Sequence, residues 1–210
     1  MNQSKILQWA VWGTLAIAIL GIIVAYVIES KSAGDSLQAS ETLPVIKTLE
    51  GFTLTNQLNA AVSVQSLKGT PWVANIFFTR CPSICVQMTE RMREIQEASE
   101  GLEPLNLVSI STDPDHDQPD ILARYAKRFG GDNERWSFLT GEKSEVARAI
   151  QKELLLAVKE NPEGSRQSEL DLYTHSSLII LVDAESRIRG TYESMGTNVV
   201  QSIVADLKKL

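Results

Sequence analysis

The sequence predicts one α/β domain behind a single N-terminal transmembrane helix. Residues 6–28 contain no charged side chain, and a helix of that length spans about 34 Å, enough for a hydrocarbon core of about 30 Å. Beyond residue 44, short apolar runs alternate with amphipathic stretches, which is typical of a sheet covered by helices. The chain of 210 residues has room for one such domain.

Composition places most of the chain among ordinary folded proteins. Hydrophobic residues make up 43% and charged residues 22%, close to globular averages and unlike disordered or collagen-like chains. There are 20 Lys and Arg against 26 Asp and Glu, a formal net charge of −6, and no basic cluster is longer than a pair. Nucleic-acid binding needs concentrated positive charge, so we expect no nucleic-acid partner.

The N-terminal segment is predicted to be an uncleaved membrane anchor. Residues 1–5 precede the transmembrane helix at 6–28, and residues 29–43 form a small, polar linker. A cleaved signal peptide would have an apolar part of about 7 to 15 residues before an A-x-A-like site, and ESKSAGDS offers no convincing site. Lysines lie on both sides of the helix, so they do not decide its orientation.

Residues 44–210 are the predicted folded domain. An early hairpin is expected within 52–67, and the near-continuous apolar run at 72–79 is typical of a strand buried on both faces. The elements that follow are a helix with the apolar stripe Ile84, Met88, Met92 and Ile95, a strand at 105–111, a helix at 119–129, a short strand at 136–139, a helix at 143–154, a polar loop at 161–169, a hairpin of 177–183 with 188–192, and a helix at 198–210.

This order of elements is the one that a thioredoxin-like sheet requires. A buried strand, a helix, a second buried strand and a second helix come first, and a hairpin with a last helix follows. The predicted fold class is therefore α/β, a thioredoxin-like domain with an N-terminal single transmembrane helix.

The two cysteines, Cys81 and Cys85, carry the clearest chemical signal. They fall at the end of the buried strand and in the first turn of the next helix, where the helix N-terminus and Arg80 favour a thiolate. Residues four apart on a helix have Cα atoms about 6 Å apart, close enough for a disulfide or for joint metal binding. Two buried, inert side chains are the alternative, and a staple across three residues would remove little chain entropy. We favour redox or metal chemistry.

The two histidines differ in their surroundings. His175 directly precedes the late strand, and in a thioredoxin-like order that loop passes beside the tip of the first helix and its cysteines. His116 lies in a separate polar loop, DPDHDQP. Two thiolates and one imidazole suit Cu(I), or Cu(II) with a further weak ligand, whereas structural zinc requires a fourth strong ligand. A histidine at a strand start is often only hydrogen-bonded, so its ligand role rests on the nearby cysteines.

Two other groups of potential ligands are given structural roles. Met88 and Met92 continue an apolar helix face, so we expect them in the core rather than on a metal. The acidic DPDHD segment lacks the glycine and closing glutamate of an EF-hand loop, and we expect a turn leading into a helix.

Four segments are specific in combination: FFTRCPSICVQMT, SISTDPDHDQP, FLTG and YTHSSLIILVD. Together they resemble the Sco/SenC family of membrane-anchored copper proteins, from about Phe52 to the C-terminus. The resemblance implies a thioredoxin fold in a single-pass membrane protein, with residues 1–5 cytoplasmic and the C-terminal domain extracytoplasmic. It also implies that Cys81, Cys85 and His175 bind copper for insertion into the Cu(A) centre of cytochrome c oxidase.

The same resemblance implies further roles. Asp113 matches the aspartate of the S-x-D-P turn and is expected near the site, as an oxygen ligand or as a partner of a ligand. The implied partners are the copper-bearing oxidase subunit, other copper chaperones or thiol reductants, and the membrane. Val86 and Thr174 stand where many members carry proline and aspartate, and Thr174 leaves the orientation of His175 and any fourth ligand open.

Three functions remain open on the sequence. A metallochaperone would hold copper through the dithiol and His175 and pass it on by ligand exchange. A thiol-disulfide oxidoreductase would use one thiolate as attacker and the other as resolver, but no proline follows Pro162, where ordinary thioredoxins place one opposite their cysteines. A redox-signalling protein would use the disulfide as a switch without copper. We favour the metallochaperone, which need not be an enzyme, and the dithiol leaves reductase activity open.

Overall fold

The computed structural model describes residues 9, 12–13, 17–25, 42–102, 104–131, 135–166, 168 and 171–210. The chain divides into two compact units, Met1–Glu41 and Thr42–Leu210. In the first unit, residues 17–25 are helical and exposed. No helix among the described residues has the length and apolar character needed to cross a membrane. The transmembrane helix expected at 6–28 lies partly outside the described residues, as does the linker at 29–43, and both stay predictions.

The second unit is built on an eight-stranded mixed sheet and a separate two-stranded one. The strands are β1 (Lys47–Thr48), β2 (Thr53–Asn56), β3 (Ala61–Ser63), β4 (Trp72–Phe77), β5 (Asn106–Ser111), β6 (Trp136–Thr140), β7 (Val158–Glu160), β8 (Tyr173–His175), β9 (Leu178–Val182) and β10 (Arg187–Glu193). The large sheet has the order β1-β10-β9-β4-β5-β6-β2-β3, and β7 pairs with β8. Strands β4, β5 and β6 are parallel, while β9 lies antiparallel to β4.

Helices cover both faces of the large sheet. They are α1 (Val64–Leu67), α2 (Ile84–Ala98), α3 (Pro119–Arg128), α4 (Lys143–Ala147), a π-helix (Arg148–Glu153), a 3-10 helix (Glu163–Ser165) and α5 (Val199–Leu207). Buried side chains of α2, α3 and α5 form one core cluster, and those of α1, α4 and the π-helix form the other. In this α/β fold, the C-terminal end of β4 and the N-terminal end of α2 lie together at the end of the sheet where strand β4 finishes.

The burial of strand β4 explains why its sequence is almost entirely apolar. Val73 and Phe77 point into the cluster with α2, whereas Trp72, Ala74 and Ile76 belong to the cluster on the other face. Side chains alternate between the faces of a strand, so a strand covered on both sides is apolar at nearly every position. Asn75 is the exception in β4, and its Oδ1 atom accepts a hydrogen bond from Ser109 Oγ. The strand predicted at 72–79 is confirmed, ending at Phe77.

Local geometry changes some element ends from those expected. Residues 64–67 of the early hairpin are helical, because Ser63 and Ser66 form a capping box that starts a helix. The helix expected over 143–154 is α-helical only to Ala147 and continues as a π-helix. Ile84, expected on the buried stripe of α2, is 37% exposed, while its neighbour Cys85 is fully buried.

The two strands of the β7–β8 hairpin flank the polar loop predicted at 161–169, and neither strand was predicted from the sequence. Val158 pairs with His175 and Glu160 with Tyr173. Each strand has three residues, too few for an alternating pattern to stand out in the sequence. This hairpin carries His175, so it has a direct bearing on the site.

Candidate metal centre

The cysteine turn, residues 78–83, joins β4 to α2. Cys81 lies in this turn and Cys85 is the second residue of α2, so Cys81 precedes the helix rather than lying one turn below Cys85 on it. The Cys81 amide donates to the Phe78 carbonyl at 3.2 Å. Both cysteines are free thiols, and they are 8% and 0% exposed.

Local interactions make the two thiols unequal. A hydrogen bond with the Cys85 side chain lowers the pKa of Cys81 to about 5, against the opposing effect of burial and with the help of backbone hydrogen bonds from Ser83 and Cys85. The same bond to Cys81, followed by burial, raises the pKa of the Cys85 thiol. At neutral pH, Cys81 is therefore a thiolate and Cys85 keeps its proton. One readily ionised thiol was expected from the helix N-terminus and Arg80; the pKa of Cys81 is lowered as expected, but the largest cause is the hydrogen bond with Cys85.

His175, at the end of β8, reaches the buried thiol. Its Nε2 atom lies 3.1 Å from Cys85 Sγ, and its Nδ1 atom lies 2.9 Å from the carbonyl oxygen of Ser176. A carbonyl oxygen only accepts, so Nδ1 carries a proton and donates to Ser176, and Nε2 is the ring nitrogen that faces the sulfur. A metal-binding imidazole uses this arrangement, with its second nitrogen held by a backbone carbonyl. The fold thus brings Cys81, Cys85 and His175 together.

Asp113 is buried and pairs with Arg80 rather than with a thiol. Its Oδ2 atom accepts from Arg80 Nη2 at 2.5 Å and from Nε at 3.1 Å, and the Tyr173 hydroxyl donates to Oδ1 at 3.5 Å. Arg80 precedes Cys81, and Tyr173 lies two residues before His175. Asp113 therefore links the cysteine turn to the β7–β8 hairpin, and the guanidinium expected to act on the thiols is engaged by this carboxylate.

Aromatic rings complete the wall of the site. Phe78 lies with its ring centroid 5.5 Å from that of Tyr173 and 6.1 Å from that of His175, edge to face in both pairs. A cavity of about 320 Å³ opens beside Cys81 and His175. Sequence reasoning missed Phe78 and Tyr173 as site residues. A strand prediction at 173–175 would have indicated Tyr173, because residues i and i+2 of a strand share a face.

Comparison with known proteins identifies the family of the chain. The family model for SCO1/SenC matches residues 41–210 of the chain. The chain belongs to the SCO1/SenC family. Among its Sco relatives, a SCO1 protein homolog from Bacillus subtilis is 32% identical over 168 residues, which are 79% of this chain and 83% of that protein.

Solved Sco structures share the fold. ScoI of Bradyrhizobium japonicum, determined with copper bound, has a TM-score of 0.60 at 25% identity and covers 78% of this chain and 99% of its own. BsSco, a member of the Sco family of cytochrome c oxidase assembly proteins with an identified disulfide switch, has a TM-score of 0.68 at 29% identity, covering 80% and 96%. The family resemblance and the thioredoxin-like α/β domain predicted from the sequence are confirmed.

His116 lies in the turn between β5 and α3, as expected for DPDHDQP, but this turn contacts the cysteine turn. Its Nδ1 atom is 2.9 Å from Asp117 Oδ1 and 3.5 Å from Thr79 Oγ1. Ligand atoms of Asp113, His116 and Asp117 lie within 4.8 Å of one another. Since Asp113 pairs with Arg80 and Asp117 is hydrogen-bonded on both oxygens, this Sco chain uses the group as a hydrogen-bonded cluster.

The two methionines of α2 are core residues. Met88 and Met92 are fully buried, and Met92 lies in the cluster that also holds both cysteines. Their predicted packing role is confirmed.

Proposed function

We propose that this Sco domain is a copper metallochaperone whose cargo is held by Cys81, Cys85 and His175. The observation that carries the proposal is the 3.1 Å approach of His175 Nε2 to Cys85 Sγ, with the imidazole proton retained on Nδ1. A thiolate, a buried thiol and an imidazole lone pair form a soft donor set that suits both Cu(I) and Cu(II). The copper-bound state of ScoI from Bradyrhizobium japonicum supports copper as the cargo.

Because the pKa values of the two thiols differ, the two sulfurs bind copper in a defined order. Cys81 is already a thiolate at neutral pH, whereas the raised pKa of Cys85 keeps its proton in place. Copper therefore meets a ready donor at Cys81, and Cys85 joins it by releasing a proton to solvent. The hydrogen bond from His175 Nδ1 to the Ser176 carbonyl leaves Nε2 as the ring nitrogen that faces the sulfur.

The positions of the two sulfurs suit the transfer of copper to a recipient by ligand exchange. Cys81 lines the open cavity of about 320 Å³, while Cys85 is fully buried. A donor group of the recipient can approach through the cavity and replace the outer sulfur first. Such exchange moves copper without releasing it to water.

The recipient we propose is the copper-bearing subunit of cytochrome c oxidase, at its Cu(A) centre. Support comes from BsSco, which is described as a member of a family of oxidase assembly proteins. Other copper chaperones or thiol reductants would load or reduce the dithiol. We further propose that residues 6–28 anchor the protein in a membrane, supported by the absence of charge in that segment. The extracytoplasmic side proposed for the domain rests on the family resemblance.

A thiol-disulfide oxidoreductase is the second candidate function. One observation favours it: a low-pKa thiolate at Cys81 beside a protonated Cys85 is the arrangement of an attacking and a resolving thiol. The disulfide switch identified in BsSco supports reversible dithiol chemistry. His175 separates the candidates, since a reductase does not require an imidazole nitrogen within 3.1 Å of its buried sulfur.

Copper titration of the full chain in detergent, fully reduced or fully oxidised, tests the proposal. The reduced protein should bind one copper per chain, and Cu(II) should give an intense thiolate charge-transfer band. The oxidised protein should bind copper far more weakly, because a disulfide has no thiolate to donate. Equal copper content in both states, or a spectrum with only weak d-d bands, would contradict dithiol ligation.

A further inference from the structure

Asp117 is a buried carboxylate beneath the cysteine turn. Its Oδ2 atom accepts from the Thr79 amide at 3.0 Å and from Ser111 Oγ at 2.5 Å. Its Oδ1 atom accepts from Thr79 Oγ1 at 2.5 Å and lies 2.9 Å from His116 Nδ1. Asp117 is 0% exposed, so these contacts replace water entirely. Two of the four bonds go to Thr79.

Thr79 lies just beyond the end of β4, where the chain leaves the sheet. The pairing of β4 with β5 ends at Phe77 opposite Ser111, and Thr79 is two residues beyond it and two residues before Cys81. Its amide therefore has the carboxylate of Asp117 as its partner in place of a neighbouring strand. A charge-assisted bond to a backbone amide is stronger and more directional than a neutral one, so Asp117 fixes the course of the turn.

The distance between the two sulfurs depends on that course. Cys85 is fixed by α2, whereas Cys81 is in the turn that Asp117 holds. A disulfide forms only when the two Cα atoms are about 4.4 to 6.8 Å apart, and joint metal binding is equally sensitive to sulfur positions. Small shifts of the turn would therefore change both reactions of the dithiol.

We propose that Asp117 is a positioning residue for the dithiol: through Thr79 it holds Cys81 at the distance from Cys85 that closes the disulfide and binds copper. Ser111 secures the carboxylate to β5. His116, whose side chain is 38% exposed, closes the solvent side and supplies one bond of four. The copper part rests on the proposed function, while the disulfide part stands without it.

Two variants of Thr79 isolate the effect of its hydrogen bond to Asp117 on the position of Cys81. Thr79→Val removes the hydroxyl bond to Asp117 while keeping the size of the side chain and the charge of the carboxylate, and Thr79→Ser restores the bond. Asp117→Asn weakens all four hydrogen bonds of this side chain, because it removes the negative charge. Asp183→Asn is the matched control, because Asp183 is also buried and accepts from Arg187 and Arg189, but lies at the opposite end of β9 from His175.

The measurement is the dithiol–disulfide equilibrium of the copper-free full chain in detergent, against reduced and oxidised glutathione. Thr79→Val and Asp117→Asn should shift it toward the dithiol by threefold or more, because the sulfurs are no longer held for closure. Thr79→Ser and Asp183→Asn should match the wild type. Hydrogen exchange at the Thr79 amide should accelerate in Asp117→Asn and remain slow in Asp183→Asn.

An equilibrium that Thr79→Val leaves unchanged, or moves toward the disulfide, would overturn the proposal. If Asp117→Asn does not fold, the Thr79 pair decides alone, since valine and serine leave the carboxylate in place. The dithiol–disulfide equilibrium is measured without copper, so the two proposals can fail separately. If the wild-type protein binds no copper but Thr79→Val still shifts this equilibrium, the metallochaperone proposal fails and the positioning role of Asp117 stands.

Discussion

The pKa of Cys81 depends most on its neighbour Cys85, and replacing Cys85 with alanine tests this dependence. The hydrogen bond from Cys85 is the largest cause that lowers the Cys81 pKa from 9.0 to about 5. At pH 7, a thiol with a pKa of about 5 is roughly 99% ionised and one at 9.0 is roughly 1% ionised. Cys85→Ala leaves burial, which raises the pKa, opposed only by backbone bonds and His175. We expect the pKa of Cys81 to rise by at least about one unit.

The assay is the rate of iodoacetamide alkylation of the reduced full chain across pH 4 to 10, read by mass spectrometry. The midpoint of the profile is the quantity compared, because the intrinsic reactivity of a thiolate also rises with its pKa. The matched control is Cys85→Ser, whose hydroxyl still donates to Cys81 and should give a smaller rise. A Cys85→Ala profile with its midpoint still near pH 5 would refute the assigned cause.

Three further predictions follow from the same structure. The free energy of unfolding of the reduced protein should rise from about pH 5 to 9 by at most about 1.4 kcal/mol per unit, because the folded pKa of Cys81 lies below its unfolded value; denaturant titrations should show this slope lost in Cys81→Ser. Asp113→Asn should cost about 1–3 kcal/mol in urea unfolding, since Arg80 loses its buried partner; an unchanged midpoint would contradict the pairing. The full chain should stay in the membrane fraction after carbonate washing, and release of a shorter soluble form would favour a cleaved signal peptide.

The main sheet could be predicted because its signals are strong and local. The strand ending at Phe77 is covered on both faces, so every position from Trp72 to Phe77 is buried. Burial on both faces favours apolar residues throughout a strand, and Asn75 is the one polar residue of this strand. The cysteines and His175 could be selected because their residue types are rare in this chain. Their closeness followed from the order of the elements.

The remaining features depend on contacts that a sequence pattern does not encode. The pairing of Val158 with His175 joins strands of three residues each, too short to show a period. Arg80 was expected to act on the thiols, but its partner Asp113 lies 33 residues further along the chain. The hydrogen bonds between Asp117 and Thr79 join separate turns, and only the fold brings these turns together.

The spectrum of the Cu(II)-loaded reduced protein, compared between His175→Ala and His116→Ala, tests the central claim most directly. Cu(II) needs the imidazole nitrogen more than Cu(I) does, because two thiolates alone can hold Cu(I). His175→Ala should therefore abolish or strongly alter the charge-transfer band while substantial Cu(I) binding remains. His116→Ala removes one of four bonds to Asp117 and should leave the band in place. A wild-type band in His175→Ala, with oxidase assembly intact but disulfide reduction lost, would contradict copper delivery and favour the oxidoreductase.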